Sequence, residues 1–527
     1  MSGIITHKFQ LNNARQFFES FTEDSTINSR YYVFLARAHP WSSDANPPTP
    51  VDSVIASSYN VWRNMIIAKR VSASDVSHVA SKYLWTSGNV YTPYTDSNGS
   101  LYSSQFYVIT DTYNVYKCID NNGGALSTVK PTHTDTGIIT ELTDGYRWKF
   151  MYTVTAGDQL KFGTTNFIPT KKLESNDGSI QWTVQQAAVN GAIEFVKTDN
   201  GGSGYLGTMG TLDSVTDSTT VVLENTTAAA GEVSTTDDAY SNSVIYITGG
   251  TGAGQLRNIT NYEGSTRTVT VGSAFSPVLD TTSTYNIGPK VNIGGDGRDF
   301  SAYANVALPC SLSSGSALNK VIIINRGANY SKVKPAITSN TSHGVGALIS
   351  ASIPPIGGHG SDPVNELNAK NVTLNVRISG NESGTIVANN DFRIVGVLKD
   401  PLLLNGSRAD GTVYDLTTKI TVSTKSGSYD PDEHLVSNTS VSLSRFVSFA
   451  NTNTGGTTGV IRTVGLDGEY QTGELLTGNT SAVTSVIESI ENRPFINFKG
   501  EVLYVENRLP VSRSFDQTED VKLIVRF

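Results

Sequence analysis

The spacing of apolar positions gives the chain two textures. Up to about Leu173, helical and strand periodicities alternate. Phe17, Phe18 and Phe21 form the apolar face of a short predicted helix capped at Asn12 or Asn13, and residues 31–41 predict a buried strand stopped by Pro40. Pro50 followed by Asp52 or Ser53 marks a helix start, with Val54, Ile55, Val61, Trp62, Met65 and Ile66 carrying the helix toward Lys69. Val76, Val79, Tyr83 and Leu84 predict a second short helix from Ser74. Aromatic and β-branched residues then predict strands over 105–111, 114–120 and 145–154.

From roughly Glu174 to Glu491 helical periodicity almost vanishes, and short apolar runs alternate with Gly, Ser, Thr and Asn. Segments starting at Ala192, Lys320 and Val460 read as imperfect copies of one module: a strand, a turn around a tyrosine (Tyr205, Tyr330, Tyr470), then another strand. No exact period connects them. Residues 243–287 predict a separate small antiparallel unit, and the Pro/Gly-rich stretch 354–370 predicts an ordered loop.

Composition agrees with the strands. Charged residues are 16% of the chain against a usual ~25%, and there are 48 glycines in 527 residues. Long helices need Ala, Glu, Lys and Leu, so the expected class is mainly β with a few short helices. The length predicts about three or four domains. A net charge of −8 without any dense Lys/Arg run argues against nucleic acid as a partner. The N-terminus lacks a signal-peptide pattern and no apolar run is long enough to cross a bilayer, so the expectation is a soluble protein made in a cytoplasm, without membrane insertion. Cys118 and Cys310 are too few and too far apart for a zinc site or a disulfide framework, and read as structural thiols.

Catalytic and cofactor motifs are scarce. GSGYLG at 202–207 has the dinucleotide-loop spacing, but strand and turn residues follow where a helix N-terminus would have to meet the pyrophosphate. Walker A, nucleophile-elbow and zincin patterns are absent. Asp237/Asp238 and Glu519/Asp520 are adjacent in sequence, so on a strand they point to opposite faces and make poor glycosidase pairs. His343, His359 and Asp362 form the most metal-like set, with hydrogen-bonded loop residues as the alternative reading. The loop 294–299 has calcium-loop flavour without the ligand alternation, and reads as a turn. The expectation is no catalytic residues, no cofactor-binding or metal residues, and no cofactor.

The two ends carry a family signal. FLARAHPWSSDANPPTPVDSV from Phe34, the VWRNMI helix, DGYRWKFMYTV from Asp144 and the closing GEVLYVENRLPVSRSFDQTEDVKLIVRF from Gly500 resemble the dimeric baseplate wedge subunit of T-even-type contractile-tailed bacteriophages. The resemblance covers about residues 1–170 and 495–527 and leaves an enlarged middle. It implies a β-sandwich-like core built from both chain ends, inserted antiparallel β modules, a homodimer, and no catalysis. It further implies other wedge proteins as partners, with tail-fibre proteins beside them, and a place in the virion tail baseplate. The corresponding division is 1–173 for the N-terminal part of the core, 174–300 and 301–491 for β modules, and 492–527 for the closing strands. Glu506, Arg508, Asp516, Glu519 and Asp520 are either interface charges or an internal salt-bridge cluster. A receptor- or glycan-binding adhesin using surface tyrosines is the alternative function, and a polysaccharide depolymerase is a third.

Overall fold

The computed structural model describes residues 4–22, 29–37, 40–53, 55–137, 139–225, 232–308, 310, 313–339 and 343–527. Strands dominate; the α-helices among these residues run from 4 to 13 residues, so the chain is mainly β with a few short helices. Contacts divide it into two compact units. One holds residues up to Ala80, Gly157–Thr164 and Ala369–Phe527; the other holds Ser81–Ala156 and Thr165–Asn368. The divisions fall at different points from the 173/174, 300/301 and 491/492 boundaries expected from composition and resemblance.

In the first unit, a five-stranded antiparallel sheet runs in the order Val413–Asp415, Met65–Arg70, Tyr31–Ala36, Asn390–Lys399, Glu501–Arg513. Every residue of Tyr31–Ala36 is buried because both faces of this sheet are covered. Val33 and Leu35 pack with Val372, Leu374, Val376 and Val521 of a second sheet, whereas Tyr32, Phe34 and Ala36 meet Val61, Trp62 and Phe495. A strand buried on two sides reads as a continuous apolar run, which is why the sequence exposed it so plainly.

The helices near this core depart from expectation. His7–Glu19 is capped by Thr6, whose Oγ1 accepts from Phe9 N at 3.2 Å, so Asn12 and Asn13 lie inside the helix. The helix expected over 50–69 spans only Ala56–Asn64; Met65 and Ile66 open the next strand, and Val54 lies outside the described residues. No helix starts at Ser74. One 3-10 turn, Ala73–Asp75, closed by a Ser72/Asp75 capping box, leads into the strand Val76–Ser81. Its residues pair with Asn371–Leu374, and that ladder outweighs a spacing that also fits a helix.

Residues 418–491 of the same unit form a closed six-stranded barrel, in the order Thr418–Ser423, Gly459–Asp467, Leu443–Asn451, His434–Ser437, Leu475–Gly478, Thr484–Glu491. The barrel is an internal duplication with an offset of 41. Tyr429, Glu433, Leu435, Asn438-Thr439-Ser440 and Ser444 recur as Tyr470, Glu474, Leu476, Asn479-Thr480-Ser481 and Ser485. The pairings obey the same two-fold relation: Thr418↔Thr463 mirrors Val422↔Gly459, and Leu435↔Gly478 mirrors Ser437↔Leu476. Each half ties down the other. The Glu433 carboxylate accepts from Thr480 N and Ser481 N, both at 3.0 Å, while Glu474 accepts from Ser440 N and Oγ. Tyr429 Oη meets Ser485 Oγ at 2.6 Å, and Tyr470 Oη meets Ser444 Oγ at 2.7 Å. The true copy of the Val460 segment is therefore residues 419–446, not the segments at Ala192 and Lys320. Arg37, 4% exposed, fastens the barrel to the sheet through Asp432 at 2.7 Å and Asp391 at 3.0 Å.

The second unit contains a nine-stranded antiparallel sheet reaching from Thr208–Val215 to Leu318–Ala328. It also contains a four-stranded sheet made by Tyr107–Ile109, Asn114–Asp120, Arg147–Thr153 and Thr140–Glu141, the first three matching the strands predicted there. Val184 of the helix Ile180–Ala187 packs with Tyr116, Trp148 and Phe150 of that sheet. The stretch 354–370 includes a four-residue helix, Pro363–Glu366.

Candidate functional site

Of the sequence segments that carry the family signal, those from Phe34, Val61 and Gly500 lie in the first unit, and the one from Asp144 lies in the second. Glu501–Arg513 is the last strand of the five-stranded sheet, so one of its edges has no strand partner among the described residues. The segment 41–53 runs beside it. Trp41 Nε1 donates to Arg508 O at 2.9 Å, Asn507 Nδ2 donates to Pro48 O at 2.8 Å, and Asp44 lies 3.5 Å from Arg393. Between them is a groove of about 610 Å³ whose walls include Trp41, Pro50, Val61, Ile394 and Val505. Its rim is apolar and exposed: Val51 is 72% accessible, and Leu503 and Tyr504 are also open. A long strand edge leaves backbone donors and acceptors with which a further strand can pair.

The charges of the closing motif are internal pairs. Arg513 lies 3.0 Å from Glu519, Arg377 lies 2.9 Å from Asp520, Arg508 lies 3.5 Å from Glu506, and Ser514 holds Asp516. Their carboxylates fix the strand turn. Asp237 likewise accepts from Gly264 N, and Asp238 from Ser241 Oγ.

The second unit disposes of the metal-like residues. Among the described residues no three His, Cys, Asp or Glu side chains gather closely enough to hold an ion. His359 is buried edge-on against the Tyr94 ring at 4.8 Å. Burial, then the nearby Lys117 and Lys149 charges, hold its imidazole well below the ordinary histidine range. Asp362 caps the helix Pro363–Glu366 by accepting from Asn365 N, and the backbone carbonyl of His343 accepts from Ser339 Oγ. What surrounds His359 is a buried charge cluster that sequence patterns did not reveal. Lys117 pairs with Glu366, which also accepts from Gly360 N at 2.8 Å; Lys149 donates to Thr136 O at 2.9 Å; Arg326 pairs with Glu194 at 2.7 Å. Buried lysine on a strand is read as surface by any periodicity, and only the alternation of Lys117 and Lys149 with aromatic neighbours hinted otherwise.

Asp296 in the 294–299 loop accepts from Ser331 Oγ, Ser331 N and Lys332 N, and these bonds hold its carboxyl far below the usual range; it sits in a turn. GSGYLG leads from the strand Val196–Ser203 into the strand Thr208–Val215, with no helix to bind a pyrophosphate. Tyr205, Tyr330 and Tyr470, the turn tyrosines of the three strand-turn-strand segments, are all buried. Both cysteines are buried and neither is in a disulfide. No helix among the described residues is long and apolar enough to cross a membrane.

The segment from Trp41 to Val61 that lines the groove is also where the comparison with known families falls. Residues 3–132 match the family model described as Bacteriophage T4, Gp8. Gp8 is a baseplate wedge protein, so the resemblance to T4-type wedge subunits holds for the motifs from Phe34 and Val61, while the motif from Asp144 lies beyond the match. The matched residues end before the long middle region and before the closing motif from Gly500. No curated protein matches the chain.

Proposed function

We propose that this chain is a structural component of the baseplate wedge of a contractile phage tail, located in the virion and acting through protein–protein interfaces rather than chemistry. The match of residues 3–132 to the Gp8 family carries the reading. The groove beside Glu501–Arg513 supports it, because the segments that resemble wedge subunits at both ends of the chain line one apolar-rimmed surface. This reading keeps the idea of one core shared by the chain ends, with the remaining β modules added to it.

The partners of that surface are a second copy of this chain and the neighbouring wedge proteins, with tail-fibre proteins beyond them. These interfaces hold the wedge together during assembly and change when the baseplate rearranges on attachment, while the sheets remain rigid. Antibody against this chain, imaged on intact particles, is expected to decorate the baseplate; label confined to fibres or capsid would overturn the assignment. Light scattering on the purified chain at tens of micromolar is expected to give a dimer mass, and a monomer would remove the homodimer.

A further inference from the structure

A second cavity in the first unit, about 370 Å³, lies between the barrel strand Gly459–Asp467 and residues 492–497, where the chain leaves the barrel. Its walls combine apolar side chains, among them Leu416, Leu466 and Phe495, with two arginines, Arg63 and Arg493. No Asp or Glu lines it, although the chain as a whole has an acidic excess of 8.

Arg493 is unusual among the arginines of this unit. Nη1 donates to Trp62 O at 2.7 Å, but Nε and Nη2 are sealed from solvent and have no acceptor. Arg37, Arg393, Arg462 and Arg513 each face a carboxylate within 3.5 Å, whereas Arg493 faces none. Burial alone, with no carboxylate to offset it, pulls its guanidinium down to about 10, so it remains a cation at neutral pH. A second lining residue, Thr463, is 0% exposed and its Oγ1 also has no partner. Arg63 adds a half-exposed cation on the same cavity, held only by a 4.0 Å contact to the exposed Asp467.

A buried guanidinium without a counter-charge is costly, and an anion in the adjoining space relieves that cost through a weakly screened interaction. Arginine's planar fork suits oxyanions, and the apolar wall suits an aliphatic stem behind the charge. We propose that this cavity is an oxyanion site, in which the Arg493 and Arg63 charges hold a carboxylate or phosphate group. The site is independent of the wedge reading: it stands or falls on binding by this chain alone. Its occupant arrives either as a free oxyanion or as an acidic side chain of a neighbouring protein.

Isothermal titration of the full-length protein with sodium phosphate and with sodium glutarate, at ionic strength matched with sodium chloride, tests it. Saturable binding of at least one probe is expected, weakened roughly tenfold or more in Arg493→Met and measurably in Arg63→Met. Phosphate binding alone identifies a free phosphate group as the ligand chemistry; glutarate binding alone identifies a carboxylate on an aliphatic stem, the chemistry of an acidic side chain. Neither probe binding beyond the chloride control overturns the proposal, as does undiminished binding in folded Arg493→Met. Should Arg493→Met not fold, undiminished binding in Arg63→Met, on the exposed wall, overturns it equally.

Discussion

At the residue scale, stability rests on a few buried polar groups that each serve several donors. Glu433 accepts from Asp430 N, Thr480 N, Ser481 N and Ser481 Oγ, all between 2.8 and 3.0 Å. Burial pushes its carboxyl up, but these bonds outweigh burial and hold it below the ordinary glutamate range. Glu433→Ala is expected to cost about 1–3 kcal/mol by leaving those donors unmet, read as a lowered midpoint in urea unfolding. The depressed carboxyl also gives a sign: its contribution is complete above the unfolded glutamate value and fades as pH falls through it. His359 sets a second pH response. Its folded form resists protonation, so the unfolded chain binds more protons once pH drops below about 6.5, and stability is lost in the acid direction. The groups around it are Lys117, Lys149, Tyr94 and Glu366. Thermal melts between about pH 7.5 and pH 5.5 are expected to fall for the native chain and to fall less for His359→Phe, which keeps the ring contact and removes the titrating nitrogens; equal slopes would refute the assignment.

At the scale of elements, close approach at one glycine fixes how neighbouring strands of the five-stranded sheet lie together. A Cβ on Gly396 would lie 2.2 Å from the Phe34 ring and 2.3 Å from Tyr504 O, so Gly396→Ala has to push apart Tyr31–Ala36 and Glu501–Arg513. The expected loss is about 1–3 kcal/mol, measured by denaturant unfolding. The same elements show what sequence made visible. Tyr31–Ala36 and Asn114–Asp120 were legible because burial on both faces, or dense aromatic content, leaves one interpretation of the pattern. Val76–Ser81 suggests a helix in sequence because Val76 and Val79, three apart, fit only the helical period; the strand is covered on both faces, so its burial does not alternate, and the partner strand Asn371–Ser379, about 290 residues away, decides the outcome. The barrel duplication is present as a constant offset of 41 but is masked: the strands share few identities, and most of the matching residues sit in turns. Of the candidate groove, the terminal motifs were legible and their convergence was not, since Trp41 and Arg508 meet only through the fold.

At the scale of the whole molecule, assembly and folding are separable. Leu503 and Tyr504 are exposed on the sheet edge, so replacing both with glutamate is expected to leave the thermal midpoint within a few degrees of native. The same double variant is expected to lose incorporation into baseplates, scored by antibody labelling of assembled particles. Normal incorporation would place the working interface elsewhere on the chain.

The closed barrel has one more consequence. Its first and last strands, Thr418–Ser423 and Thr484–Glu491, are neighbours, and Lys419 and Glu491 are joined at 2.7 Å. The chain therefore passes into and out of the barrel at one point, as a loop thrown off the main sheet. Tension carried along Asn390–Lys399 and Glu501–Arg513 runs through their mutual ladder, and the barrel shares it only through side contacts such as that of Arg37 with Asp432. Under load, such a part is largely a passenger. Excising 418–491 with a short Gly/Ser bridge is accordingly expected to leave a folded, strand-rich protein by circular dichroism, and loss of all cooperative unfolding would show that the barrel bears load after all.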